Sequence, residues 1–491
     1  MDRARPIAER LVARYPLLYL ISGDEPDART LLRRCGKTAG LTLAEPRYGR
    51  AELVTAAADA LDSLVEMPER TLLVLAGGHR LLAEATFVQI LTEQLRAIEK
   101  LGHTVVLLAA HDVASADLDR DRVVLYLPLP GAEELRPLVE AAFTPSAKDA
   151  ADPKLVERAL EAAKGMTTVQ LRRALRRLRA GGGVPGLEAV AGLHAEKRDL
   201  VAHGGVLDVV ADPPLLADVG GMDNLKEWLS RRRRALSTQA REFGLPAPRG
   251  VLLLGVQGCG KSLMAKVVSR HWGLPLLRLD IGALFAGRRA PELAMRQALA
   301  IAEAISPAVL WVDEIEKAFD RDASSGTHRL LGGLLTWMQE KSAPVFFVAT
   351  ANRVDNLPPE LLRKGRFDEI FFVDLPDTAS RQEILSIHLT ARDRNPRHYD
   401  LLELAAAAHN FSGAELEQVV VSGLYLAFGR GEAMSQEDLL NAATQTVPLA
   451  RTCEEEIKEL RVWARDRARF ATRDATEMSY FGGLLKEPRK S

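Results

Sequence analysis

Residues 250–280 read GVLLLGVQGCGKSLMAKVVSRHWGLPLLRLD, and their pattern decides the fold. Val251–Leu254 is an apolar strand, and after Lys261 the apolar residues fall at helical spacing. Between them lies Gly255-Val-Gln-Gly-Cys-Gly-Lys261-Ser262, the G-x-x-x-x-G-K-S pattern in the strand-to-helix setting its chemistry needs. Gly255, Gly258 and Gly260 let the backbone curl so that successive N–H groups and the helix N-terminus face phosphate oxygens, and Lys261 adds a fixed positive charge. The Ser262 hydroxyl suits a Mg2+ ion riding on the β and γ phosphates. A bare glycine-rich turn has no need of a lysine and a hydroxyl directly after its last glycine. The stretch therefore predicts ATP and Mg2+ as cofactors, with Gly255, Val256, Gln257, Gly258, Cys259, Gly260, Lys261, Ser262 and Leu263 lining the phosphates.

The surrounding chain has the composition of an ordinary globular protein, 47% hydrophobic and 27% charged, and 491 residues are enough for three or four compact units. Lys+Arg 65 against Asp+Glu 66 argues against a general polyanion binder. Cys35, Cys259 and Cys453 lie far apart with no C-x-x-C partner, so neither a disulfide framework nor a zinc site is expected, and a reducing cytoplasm fits. No run of 18 apolar residues occurs and the start has no long apolar core, which predicts a chain neither exported nor membrane-spanning.

Toward the N-terminus, strands are expected from Leu17, at Thr71–Ala76, at Thr104–Ala110 and over Arg122–Leu127, alternating with helical patterns at 51–65 and 84–100. Residues 131–179 lose the strand signal and read as three or four short helices. An α/β unit followed by a helical unit returns around the phosphate loop, so the first part reads as a degenerate copy of the second; an unrelated α/β domain is the alternative. The copy lacks the chemistry: its first strand runs into Ser22-Gly-Asp-Glu-Pro-Asp27, with no lysine, and its second candidate strand ends Val74-Leu-Ala-Gly-Gly78, without acids. No nucleotide hydrolysis is expected there. The arginine stripe of 169–179 reads as a solvated helix face, with docking of an acidic partner or nucleic acid as the alternative. Gly181–Gly183 and Pro185 mark a break, and 188–214 a connector. Farther on, Leu225, Trp228, Leu229 and Leu236 share a helical face, and Arg231–Arg234 read as solvent-facing or intersubunit charge.

Downstream of the phosphate loop, Val309-Leu-Trp-Val-Asp313-Glu314 is a buried-strand run ending in two acids. Asp313 suits the metal ion and Glu314 the activation of an attacking water. The strand 345–351 ends at Asn352, whose amide suits the γ-phosphate or that water, and Arg363 and Arg366 are candidates for stabilising transition-state charge at a neighbouring subunit. Taken singly, each arginine also fits a structural ion pair.

In this order Asp218-Val-Gly-Gly-Met222, GVQGCGKS, LWVDEIEKAF, ATAN352, LPPELLRKGRFDEIFFVDLP and Phe411-Ser-Gly-Ala414 resemble the AAA ATPase family over roughly residues 216–450. Within it the plan, and the ending TVPLARTCEEEIKELRVWARDRARFA, are similar to the AAA-domain proteins of hypothetical chloroplast reading frame 46. The resemblance implies an α/β P-loop NTPase AAA+ module, parallel sheet plus helical lid, after a degenerate AAA-like α/β module. The expected boundaries are 1–130, 131–205 (small helical subdomain and linker), 206–375, 376–450 (lid) and 451–491 (tail). It further implies Asp218 and Gly221 near the adenine, Gly413 and Ala414 packing on the nucleotide from the lid, and a homo-oligomeric ring, a hexamer, with Arg363 and Arg366 acting in trans. In the family an aromatic-x-Gly loop grips polypeptide. Here the loop reads Leu284-Phe-Ala-Gly287-Arg288-Arg289-Ala-Pro-Glu292, so either Phe285-Ala-Gly287 serves, or Arg289-Ala290 forms a basic tip favouring acidic protein segments or nucleic acid, or the loop is a surface turn. Cys259 replaces the threonine of many relatives. It reads as a tolerated small side chain; the alternative is that nearby amides and Lys261 lower its pKa and make it oxidation-sensitive.

The expected function is an ATPase that remodels or regulates a protein partner. The alternatives are a nucleotide-dependent scaffold or switch and a nucleic-acid-stimulated motor; no membrane partner is expected.

Overall fold

The computed structural model describes residues 3–473 apart from 47–51, 68–69, 114, 145–151, 180–185, 203–204, 236–237, 287–290, 320–324 and 364. The chain divides into two compact units, Met1–Leu200 and Val201–Ser491. In the first, β1 (Leu17–Ile21), β2 (Thr42–Ala44), β3 (Thr71–Ala76), β4 (Thr104–Ala109) and β5 (Arg122–Tyr126) form an all-parallel sheet in the order β2-β3-β4-β1-β5. Its central strands are unbroken apolar runs because helices cover both faces. One face is sealed by a core that includes Tyr19, Leu61 and Phe87, the other by one that includes Leu11, Leu32 and Val74. Helices Ala132–Phe143, Pro153–Ala163 and Thr168–Arg179 follow, packed around Phe143, Leu160 and Leu175.

The second unit holds β6 (Leu207–Val210), β7 (Gly250–Gly255), β8 (Leu276–Leu279), β9 (Ala308–Val312), β10 (Val345–Ala351), β11 (Glu369–Val373) and β12 (Arg469–Phe470). Their order is β12-β11-β7-β10-β9-β8-β6, parallel except for β6, which runs antiparallel to β8. Counted from its own first parallel strand, each unit has the order 5-1-4-3-2. Strand β7, the run from which the fold was read, lies between β10 and β11 and is buried along its whole length. Helices Thr378–Thr390, Leu401–Ala407, Gly413–Arg430 and Gln436–Gln445 form a lid around Leu385, Phe411, Leu416 and Leu439.

Four strands escaped the sequence reading, among them β11, which stood unassigned inside the quoted LPPELLRKGRFDEIFFVDLP. β2 and β12 are too short to show a period, and β6 lies in the stretch read as a connector, where the helix Leu187–Ala202 also forms. Residues after 450, read as a tail, return to the large sheet. Arg461 forks onto both carboxylate oxygens of Asp374 at 2.9 Å, β12 pairs with β11, and the Asn224 amide donates to Phe470 O and Thr472 O. Among the described residues no helix is long and apolar enough to cross a membrane.

Phe347 is fully buried at the sheet centre, stacked on Phe367 with ring centroids 5.8 Å apart and edge-on to Trp337. Phe347→Ala is expected to destabilise the second unit by about 3–5 kcal/mol through the cavity it leaves. All 5 tryptophans lie in this unit, so urea unfolding followed by indole fluorescence reads it directly.

Candidate functional site

The site grows from the C-terminal ends of β7, β9 and β10. At the end of β7, Gly255 has φ 149°, and a Cβ there would stand 2.0 Å from Val373 O, so the backbones of β7 and β11 approach only because the residue is glycine. Gly258 and Gly260, at φ 76° and 84°, turn the loop into the helix Lys261–Trp272. The Lys261 side chain is buried, and its Nζ donates to Gly255 O at 2.9 Å and Val256 O at 2.6 Å. Burial pushes its ammonium down to about 8, with Glu316, Asp313 and Glu314 offsetting only part of the loss. A desolvated cation over a loop of exposed backbone turns fits a phosphate group. Around it Val256 is buried, while Gln257 and Leu263 are exposed.

Ser262 Oγ donates to Asp313 Oδ1 at 2.7 Å, and Thr350 Oγ1 donates to the same oxygen at 2.6 Å. Thr350 Oγ1 also accepts the Glu314 N–H at 2.9 Å, which holds Glu314 at φ 48°, a region that non-glycine residues seldom adopt. The Glu314 carboxylate is held twice, by Asn352 Nδ2 at 2.9 Å and by an ion pair with Lys317. The Asn352 N–H is in turn fixed by Glu316 Oε1 at 2.8 Å. The hydroxyl of Ser262 and the carboxylate of Asp313 are hard oxygen donors of the kind Mg2+ takes. Among the described residues no cluster of three or more His, Cys, Asp or Glu side chains forms a closed metal cage, so such an ion would draw its other ligands from phosphate and water.

Gln257, Glu314, Asn352, Leu449, Cys453 and Ile457 are among the residues that line a cavity of about 270 Å³ beside the loop. The C-terminal segment thus walls the site, a placement with no local signal in the sequence. From the lid, Ala414 N donates to Gly258 O at 3.0 Å, and Gly413 stands so close that a Cβ would be 3.2 Å from Gly258 O. Gly221 is clamped to the first lid helix by its N–H on Glu383 Oε2 at 2.8 Å. The Asp218 carboxylate is turned to its own backbone, accepting the Leu215 N–H at 2.7 Å.

Arg363 is exposed, whereas Arg366 is buried, with Nε and Nη1 unbonded among the described residues. The sequence missed Thr350, Glu316 and Lys317. Their signals were a lone hydroxyl in an apolar strand, and polar residues two and three positions beyond the acidic pair Asp313-Glu314.

Of the two readings of Cys259, the acidified thiol is overturned. Burial pushes the thiol up to about 12, with Lys261 opposing this only in part. The residue is 6% exposed within an apolar core beside Val256 and Met264, the setting of an inert small side chain. The arginine stripe stands on the exposed face of its helix, with Leu171, Ala174 and Leu175 buried beneath it. Arg231 pairs with Glu227, and Arg232 lies 3.9 Å over the Trp228 ring. Phe285 is exposed, and Gly287 to Ala290, with Leu236, lie outside the described residues.

The family of ATPases associated with various cellular activities matches residues 251–375. The chain is 33% identical over 472 residues to the AAA domain-containing protein ycf46 of Trieres chinensis, covering 92% of this chain and 95% of that one. It is 40% identical to ycf46 of Pyropia yezoensis over 71% and 72% of the two chains. A proteasome-activating nucleotidase of Thermococcus onnurineus is 33% identical over 46% of this chain and 59% of its own. The matched span starts at β7 and ends just beyond β11, and so takes in the whole constellation around Lys261, Asp313 and Glu314. The chain belongs to the AAA ATPase family, in the group of the ycf46 AAA domain-containing proteins.

Proposed function

We propose that this ATPase hydrolyses ATP with Mg2+ at sites completed by a neighbouring copy in a ring, and uses the turnover to remodel or regulate a protein partner. The observation that carries the reading is the double hold on Glu314, backbone on Thr350 and carboxylate on Asn352, next to a buried Lys261. In it, Lys261 and the loop amides neutralise phosphate charge, Ser262 and Asp313 hold the ion, and Glu314 takes the proton of the attacking water while Asn352 keeps that carboxylate aimed. The Mg2+ ion supplies charge neutralisation at the phosphates when bound. Exposed Arg363 is the residue free to reach a neighbour's γ-phosphate, and the buried, under-bonded guanidinium of Arg366 sits three residues on. Work on a protein partner is supported by the similarity to a proteasome-activating nucleotidase and, at 31% identity, to an ATP-dependent zinc metalloprotease of Oryza sativa.

A second reading, a slow nucleotide switch, draws on the Lys317–Glu314 ion pair, which occupies the base in this state. Steady-state turnover separates the two: a remodeller cycles continuously and is stimulated by its client, while a switch turns over far more slowly and is not.

Thr350→Val is expected to lower kcat about tenfold or more, since the half-buried Asp313 carboxylate and Glu314 N–H each lose a partner, with KM shifted by less than about threefold. Thr350→Ser restores the rate; equal loss in both variants would assign Thr350 to packing alone. Lys261→Ala abolishes ATP binding, and Arg363→Ala lowers turnover only through the adjoining site. Mixed rings of Lys261→Ala and Arg363→Ala subunits should regain activity, and inactivity in rings shown to be mixed would exclude sharing in trans. Capture from native extract with Glu314→Gln in ATP, against Lys261→Ala, identifies the partner. A retained protein supports remodelling, and retention of nucleic acid alone would overturn it.

A further inference from the structure

We propose that in the first unit, where a cavity of about 370 Å³ at the ends of β1, β3 and β4 corresponds to the nucleotide site of the second, the chain's own carboxylates take the place of the phosphate loop, so that this unit takes no nucleotide and its helical lid stays closed in every nucleotide state. The correspondence is positional. Both sheets share one strand order, and each is followed by a helical lid whose third helix opens with a capping box: Ser412 with Glu415 in the second unit, Thr167 with Gln170 in the first. In the second unit that helix closes on the phosphate loop through Ala414 N on Gly258 O.

The first unit reaches the same closure with a carboxylate in place of the loop. Only Ser22, Gly23 and Asp24 separate β1 from the helix Glu25–Thr38, whereas Val256 to Gly260 separate β7 from the helix Lys261–Trp272. A connection that short has no room to curl around a phosphate. At the first helical position stands Glu25 in place of Lys261, and at the second Pro26 in place of Ser262, so charge is reversed and both an N–H and a hydroxyl are lost.

Asp24, only 8% exposed, supplies the missing anion itself. One carboxylate oxygen accepts the Asp27 N–H of the helix at 3.1 Å, and the other accepts the Val169 N–H of the third lid helix at 3.3 Å. Asp27 adds a second tie, accepting Thr168 Oγ1 at 3.2 Å on one oxygen and Arg3 Nη1 at 2.8 Å on the other. Arg3, 7% exposed, adds a third tie: it also donates to Pro128 O at 3.0 Å and pairs with Glu134 of the first lid helix at 2.6 Å. It occupies the place that Gly221 holds in the second unit, where the segment ahead of the sheet meets the first lid helix through Glu383. Asp24, Asp27 and Arg3 thus each have internal partners on the side where the phosphate loop lies in the second unit. A nucleotide would have to break Asp24 and Asp27 from their donors and set its own phosphates against two carboxylates and Glu25.

Two readouts on the full-length chain test this. Equilibrium dialysis of Glu314→Gln with radiolabelled ATP and Mg2+ should saturate at one nucleotide per chain, and Lys261→Ala should bind none. Two nucleotides per chain, or saturable binding by Lys261→Ala, would overturn the proposal without any change to the first unit. Hydrogen exchange should show amides of 168–179 insensitive to ATP while those of 413–430 slow. Asp24→Asn with Asp27→Asn should then raise exchange at 168–179 about tenfold, the loss of roughly one charge-assisted hydrogen bond. Unchanged exchange in that folded variant, or ATP-dependent slowing at 168–179 in the parent, would show that the carboxylates are not what holds the lid.

Discussion

One carboxylate oxygen, Asp313 Oδ1, takes the hydroxyl protons of Ser262 and Thr350 and so joins the helix after β7, the end of β9 and the end of β10. A hydroxyl gives one proton and accepts others, which lets Thr350 bond Asp313 and still receive the Glu314 N–H. Glu314 can therefore stay in a left-handed backbone conformation that on its own costs about 1–2 kcal/mol. The direction of the carboxylate read as the base follows from that one conformation, with Asn352 and Lys317 taking its oxygens. Such strain lasts only where surrounding structure over-determines it, and here three secondary-structure elements do so.

The two units show how far chemistry and fold can part. Both keep strand order 5-1-4-3-2, because that order rests on apolar strands buried on both faces, and those survive in each. What differs is how charge in the cleft is balanced. The second unit buries a lysine whose hydrogen-bond partners among the described residues are backbone carbonyls, leaving an electrostatic demand for an anion. The first carries Asp24 and Asp27 against backbone N–H groups, a threonine hydroxyl and Arg3, and the demand is met from within. The second unit's lid meets the loop through a backbone hydrogen bond, Ala414 N on Gly258 O, and the first unit's through the carboxylates of Asp24 and Asp27.

Cys259 and Asp218 show what the surrounding structure adds to local reasoning. Beside Lys261 and loop amides a thiol reads as acidified, but burial outweighs a lysine whose own charge is desolvated. The motif puts Asp218 near the adenine, and the structure adds that its carboxylate caps its own turn. In the C-terminal segment, Arg461 and β12 depend on Asp374 and β11, partners nearly a hundred residues earlier, so a window of sequence shows only a helical period followed by charges.

The sequence by itself determined the phosphate loop, the acidic pair after β9, the alternation of strands and helices in both halves, and the absence of the catalytic set from the first. Each is a short-range pattern, in which spacing along the chain equals spacing in the element. Only the tertiary structure decided that Thr350 unites Asp313 with Glu314, that the C-terminal helix walls the site, that Cys259 is inert, and that Asp24 latches a helix 145 residues away. These depend on burial and on which elements meet, and both arise from packing among residues distant in the chain.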